Sequence, residues 1–253
     1  MANRTAGVGK FAWLNGTFVT AQEARVSPFD RGFLFADGVY EVAAVYSGQL
    51  IDLERHLERL ERSLRELGYP KAPDRRQLEV MHRELVTLNG IEEGLVYLQV
   101  TRGAYGGRDF AAPAQPRLTM FAFAEGKQLL DTAAHRDGIR VIATPDIRWA
   151  RRDIKSVGLL AQAMAKTEAK AAGKDDAWFV DAGGTVTEGA SANAWIVTQD
   201  GDIVTRALSN DILAGVTRRA MMDLVSQTGG QIIERSFSLE GAKQSAEAFA
   251  TSA

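Results

Sequence analysis

Apolar positions along this chain recur with two periods, near two in some stretches and near three and a half in others, and the switches between them divide it into strands and helices. FAWLNGTFVT alternates on both sides of Asn15-Gly16, a pair that accepts the positive φ of a tight hairpin. SPFDRGFLFADG, aromatic and rich in turn residues, reads as irregular, and VYEVAAVYSGQLID alternates into a second hairpin through Ser47-Gly48. From Leu53 to Gly68 the period lengthens: Leu57, Leu60, Leu64 and Leu67 form one stripe among charges, which predicts a helix that Gly68 ends. A second helix is predicted from Asp74 to Leu88, then a strand in LVYLQVTRGAYGG that ends in a glycine-rich loop, and a strand in RLTMFAFAEG.

EGKQLLDTAAHRDG lacks periodicity and reads as a linker. IRVIATPDIRW is a predicted strand, 158–172 a helix, and DAWFVDAGGTVTEGASANAWIVTQDGDIVT a meander of three or four strands turned at Gly183-Gly184 and Asp200-Gly201. LAGVTRRAMMDLVSQTGG predicts a helix opening near Gly215, and SLEGAKQSAEAF a final helix. The order is mixed and not a strict βαβ alternation, so the expected class is α+β (mixed α/β) in two units, 1–125 and 126–253. No GxGxxG or GxxxxGK[ST] loop argues for nucleotide binding.

Composition narrows the chemistry. A formal net charge of -2, spread along 253 residues, gives no broad positive field for nucleic acid or an anionic membrane, so a small-molecule ligand is expected. Zero cysteines remove disulfides, thiolate nucleophiles and cysteine-ligated metals, and suit a reducing compartment such as the cytoplasm. No apolar run approaches the ~18 residues of a membrane span. His56, His82 and His135 stand in unrelated segments, as surface or core-edge residues, so no metal site is expected and a Ser/His/Asp hydrolase lacks its parts. What remains reactive is lysine, tyrosine and carboxylate.

One lysine stands out. In IRWARRDIKSVGLLAQAMAK, Lys155 lies where Arg148, Arg151 and Arg152 give way to a helical pattern. Neighbouring cations, a helix start and burial all disfavour an ammonium, and a neutral amine is what attacks a carbonyl. An aldehyde cofactor on that lysine would need an anion at its ring nitrogen, donors for its phosphate and an arginine to balance charge. Glu188 in VTEG is a candidate anion and equally fits a hairpin end in water. Gly215-Val216-Thr217 could cradle a phosphate or simply cap a helix, and Ser252, after a predicted helix, could join them or fray. Arg59 falls roughly 120° from the leucine stripe, which by pattern is a surface position.

FDRGFLFADGVYEV, HLERL, DIKSVGLLAQAMAK, VTEGASANAW and LAGVTRRAM, in this order, resemble the fold-type IV pyridoxal-phosphate aminotransferases (class IV), most closely those acting on D-amino acids. The resemblance covers about Ala12 to Ala253. It implies that Lys155 forms the Schiff base with pyridoxal 5′-phosphate (PLP) and shuttles the proton, that Glu188 pairs with the pyridinium nitrogen and that Arg59 grips the phosphate. It implies further that Val216, Thr217 and Ser252 complete the phosphate cup, that Ser191 and Ala192 lie beside the cofactor, and that Tyr40 lines the substrate pocket. A small N-terminal α/β domain, a larger C-terminal pseudo-barrel domain and a homodimer are implied too, with amino donors and 2-keto acids exchanged by a ping-pong route.

Two departures bear on specificity and binding. D-specific relatives commonly carry an Arg-x-His pair after the TRG strand; here Arg108 is displaced by one residue, and Asp109 and Phe110 stand where the histidine would be. Arg31 and Arg102 are alternative carboxylate partners. Relatives also continue past Ala253 by about thirty residues, strands that would pack on the barrel, which suggests that the C-terminal part is missing. A branched-chain L-amino-acid or (R)-amine transaminase, an aminodeoxychorismate lyase and a non-catalytic protein on the same fold are the rival readings.

Overall fold

The computed structural model describes residues 7–253, in two compact units. The first takes in the chain to Arg136 together with Lys155–Gly158; the second takes in Asp137–Ile154 and Leu159–Ala253. Within the first, the strands are β1 (Gly7–Leu14), β2 (Thr17–Thr20), β3 (Gly38–Tyr46), β4 (Gln49–Leu50), β5 (Glu93–Thr101) and β6 (Thr119–Gly126). Its helices are α1 (Arg31–Phe35), α2 (Leu53–Glu66), α3 (Arg75–Asn89) and α4 (Ala133–Asp137), of which the last spans the boundary between the units. The six strands form one sheet in the order β2-β1-β6-β5-β3-β4. Both hairpins form at the expected turns, where Asn15, Gly16, Ser47 and Gly48 all take positive φ.

Strand alternation decides the core. On one face Val39, Ala43 and Val45 of β3, with Val96, Leu98 and Val100 of β5, are buried beside the stripe Leu57, Leu60 and Leu64 of α2 and Leu78, Met81 and Leu85 of α3. Each such aliphatic side chain, fully buried, stabilises by about 1.5–3 kcal/mol. The opposite face carries half-buried aromatics, with Tyr40 stacked on Tyr97 at 5.6 Å and Tyr97 on Phe123 at 5.1 Å.

The second unit holds β7 (Val141–Pro145), α5 (Leu160–Ala171), β8 (Asp176–Val180), β9 (Val186–Gly189), β10 (Asn193–Val197) and β11 (Ile203–Thr205). It continues with α6 (Val216–Gln227), β12 (Ile232–Glu234), α7 (Leu239–Gln244) and β13 (Glu247–Thr251). Two sheets result, β7-β8-β9 and β12-β11-β10-β13. Ala165 and Ala169 of α5 are buried with Ala177 and Phe179 of β8, where small side chains let the helix close on the strand.

Several expectations are corrected. SPFDRGFLFADG is not irregular throughout: Asp30 accepts from Gly32 N–H and caps α1. The linker holds α4, and the meander splits between two sheets. The last helix stops at Gln244, because EAFAT is β13, paired with β10 and stacking Phe249 on Trp195 at 5.7 Å. Alanine and glutamate favour a helix locally, but a free edge of β10 overrides so short a segment. His56 and His82 are core residues and not surface ones, at 2% and 1% exposure.

Candidate active site

Lys155 is placed by backbone bonds to β3. Tyr40 N–H donates to Lys155 O (3.0 Å), Val157 N–H to Gly38 O (3.0 Å), and Lys155 N–H to Ser63 Oγ of α2 (3.3 Å). Its Nζ lies 4.1 Å from the centroid of the Tyr40 ring. The lysine precedes α5, which begins at Leu160, so the helix dipole, which fades within a turn, is not what sets its environment. The cationic run is also neutralised: Arg148 pairs with Asp146 and Glu188, Arg151 with Asp153, and Arg152 with Asp211.

Arg59 is not the surface residue its helical angle suggests. Its Nε donates to Glu41 Oε1 (2.8 Å) and its Nη2 to Glu41 Oε2 (2.7 Å), while His56 Nδ1 lies 2.8 Å from the same Oε2. Glu41, 1% exposed, is a core-facing residue of β3. Burial alone would raise its carboxyl, but the charge and bonds of Arg59, the His56 bond and the charge of Lys155 outweigh that and hold it at about 2.

The loop after β5 carries Arg108. Its guanidinium lies over Phe110 at 4.7 Å and Phe35 at 5.5 Å, and among the described residues no carboxylate meets it. Asp109 instead turns its Oδ1 to Ala111 N–H (2.9 Å). Arg31 and Arg102 are occupied elsewhere. Both bond Asp37; Arg31 also donates to the carbonyls of Asp109, Phe110 and Ala111, and Arg102 to Leu67 O. Arg31 thus holds the loop, and Arg102 ties Asp37 to the end of α2. Gly103, at φ +87°, lets the loop cross a neighbouring segment where a Cβ would meet Arg117 O at 1.7 Å.

In the second unit Glu188 ends buried on β9, at 6% exposure, and not in water. Arg148 Nη1 donates to its Oε1; Leu213 N–H (3.1 Å) and Asn193 Nδ2 (3.3 Å) donate to its Oε2. Arg148 in turn meets Asp146 through Nε (2.9 Å) and Nη2 (2.7 Å). Burial would raise Asp146, but bonds from Arg148 and Thr187 and the charges of Arg148 and Arg152 hold it below the usual carboxylate range. Burial would lower Arg148, and its two acids raise it. Gly215 caps α6 with no side-chain bond, and a Cβ there would meet Asn193 Oδ1 at 2.1 Å. Val216 is buried and Thr217 half-buried in the first turn. Ser191 is exposed and Ala192 half-buried in the bend between β9 and β10, where Ala192 O accepts from Gly189 N–H (2.7 Å). Ser252 is exposed and follows a strand, not a helix.

Sequence reasoning missed Glu41, Asp146, Arg148 as a ligand of Glu188, and Asn193. Only Glu41 left a signal, an acid in phase with Val39, Ala43 and Val45.

Taken unit by unit, the residue types suit an aldehyde cofactor: the first unit offers an amine fixed by its backbone, and the second offers a buried carboxylate and, separately, a helix start with no side-chain cap. The class so defined is that of the PLP-dependent transferases. Residues 38–253 match the model of the amino-transferase class IV family, and the chain belongs to that family, whose cofactor is PLP. It is 35% identical over 242 residues to a D-alanine aminotransferase of Staphylococcus aureus, covering 95% of this chain and 84% of that one. With a D-alanine aminotransferase of Bacillus licheniformis the identity is 34%, over 94% and 83%. The branched-chain amino acid aminotransferase of Escherichia coli superposes with a TM-score of 0.86 at 20% identity, over 96% of this chain and 83% of that one. No described helix is long and apolar enough to cross a membrane.

Proposed function

We propose that the chain exchanges amino groups between a D-amino acid and a 2-keto acid by a ping-pong route. The observation that carries this is the 35% identity over 95% of the chain to enzymes named D-alanine aminotransferase. PLP, when bound, supplies the aldehyde that takes the amino group and the ring that stores the charge left at Cα. Lys155 Nζ, held against the face of Tyr40, would be the group that takes up the Cα proton and gives it back. Glu188 would pair with the protonated ring nitrogen, Arg59 would grip the phosphate, and Val216, Thr217 and Ser252 would add donors to it. Ser191 and Ala192 border the cofactor, Tyr40 borders the substrate, and Arg108, backed by Phe110, receives its carboxylate.

The same fold serves branched-chain L-amino-acid and (R)-amine transaminases, and Phe110 in place of a histidine favours that second reading. Half-reactions with D-alanine, D-glutamate, L-leucine and (R)-1-phenylethylamine, followed by loss of the visible cofactor band, decide. D-Alanine or D-glutamate is expected to react fastest, and a clear lead for L-leucine overturns the assignment.

We take the two units as the domains of this fold and the protein as a cytoplasmic homodimer. Exposed apolar side chains on each unit support the dimer, Phe33 (77%) and Phe29 on one, Leu160 (75%) and Ile147 (65%) on the other. Light scattering at micromolar concentration that gave a monomer mass would remove it.

A further inference from the structure

The acid facing the helices from β3 is out of place by every packing rule: its neighbours on that face, Val39, Ala43 and Val45, are apolar and buried. A carboxylate there persists only with partners, and both side-chain partners come from one face of α2, His56 and Arg59. The two bonds from Arg59 run in parallel from Nε and Nη2, the bidentate geometry that fixes a guanidinium plane and not merely its charge. We propose that Glu41 is a positioning residue for the cofactor phosphate: anchored by His56, it locks the plane of Arg59 and so aims the arginine. This rests on Arg59 gripping the phosphate, as proposed above.

The proposal has a sign that a charge effect alone would not give. An anion near a phosphate repels it, so if Glu41 acted only through its charge, neutralising it would tighten PLP binding. If Glu41 aims Arg59, neutralising it loosens the guanidinium and weakens the phosphate contact.

The test is the ratio of PLP to pyridoxal affinity, each titrated by its visible band, in wild type, Arg59→Lys, Glu41→Gln and Glu41→Asp. Pyridoxal lacks the phosphate, so any general damage, or any effect through Lys155, cancels in the ratio. The ratio should fall roughly tenfold or more in Glu41→Gln, the scale of one charge-assisted bond, and also fall in Glu41→Asp, which keeps the charge but shortens the reach. A ratio that is unchanged or raised in whichever Glu41 variant folds overturns the proposal. A ratio untouched by Arg59→Lys instead overturns the phosphate role of Arg59, a separate failure.

Discussion

In the first unit a cation, Arg59, is held by a buried anion, Glu41; in the second an anion, Glu188, is held by a buried cation, Arg148. The first adds a histidine, His56, on its anion, whereas the second adds a further acid, Asp146, on its cation and runs on to Arg152. What each cluster adds follows its more buried member, Glu41 in the first (side chain 1% exposed against 10% for Arg59) and Arg148 in the second (4% against 8% for Glu188). A carboxylate is satisfied by a few donors, and Glu41 finds them on one turn of α2. A guanidinium brings five donors in a rigid fork, and Arg148, at 8% exposure, can be buried only if a second acceptor takes the edge that Glu188 leaves. A cluster centred on a buried guanidinium therefore draws in a second acid, and one centred on a buried carboxylate draws in donors.

The comparison breaks most completely if the lysine is dispensable. Lys155→Ala should lower turnover by about a thousandfold or more, the upper range for a positioned proton carrier, with cofactor still bound by its phosphate; ordinary rates in single-turnover assays would refute its role. A stability contrast comes next. Arg148→Met takes the shared cation from two buried acids at once, leaving Glu188 only neutral donors and Asp146 the longer contact to Arg152, and should cost about 3–5 kcal/mol in denaturant unfolding, whereas Arg59→Met takes it from one acid that keeps its histidine and should cost about 1.5–3 kcal/mol. Equal losses would erase the distinction drawn between the two clusters.

The smallest effect is in acid. The folded-state value of Glu41 lies below its unfolded one, so its contribution is complete above pH 4.5 and is lost as pH falls toward about 2. His82 acts in the adjoining window. Burial lowers it to about 4, so the unfolded chain takes up its proton first, and stability falls as pH drops from 6.5 to about 4. Unfolding curves against pH should lose the lower slope in Glu41→Gln and the upper one in His82→Leu.

Much of the fold was legible because local periods agree with the final packing. The leucines of α2, the alternation in β3 and β5 and the turn pairs each point one way at short range. EAFAT did not, since its strand exists only by pairing with β10. At the site, Lys155 and Glu188 were legible as residue types, but the reasons first given for the lysine were not the operative ones. Its place comes from backbone bonds to Gly38, Tyr40 and Ser63, residues far from it along the chain.

By itself, then, the sequence determined most of the elements and the mixed class, because these depend on neighbours within a turn or a pleat. Only the tertiary structure decided which charges are spent. Arg31 and Arg102 were drawn to Asp37, Arg59 to Glu41, and Arg148 to Glu188 and Asp146. Ion pairs in a low-dielectric interior form between whichever groups folding brings within reach, and most of these partners stand too far apart in the chain for a local pattern to reveal them.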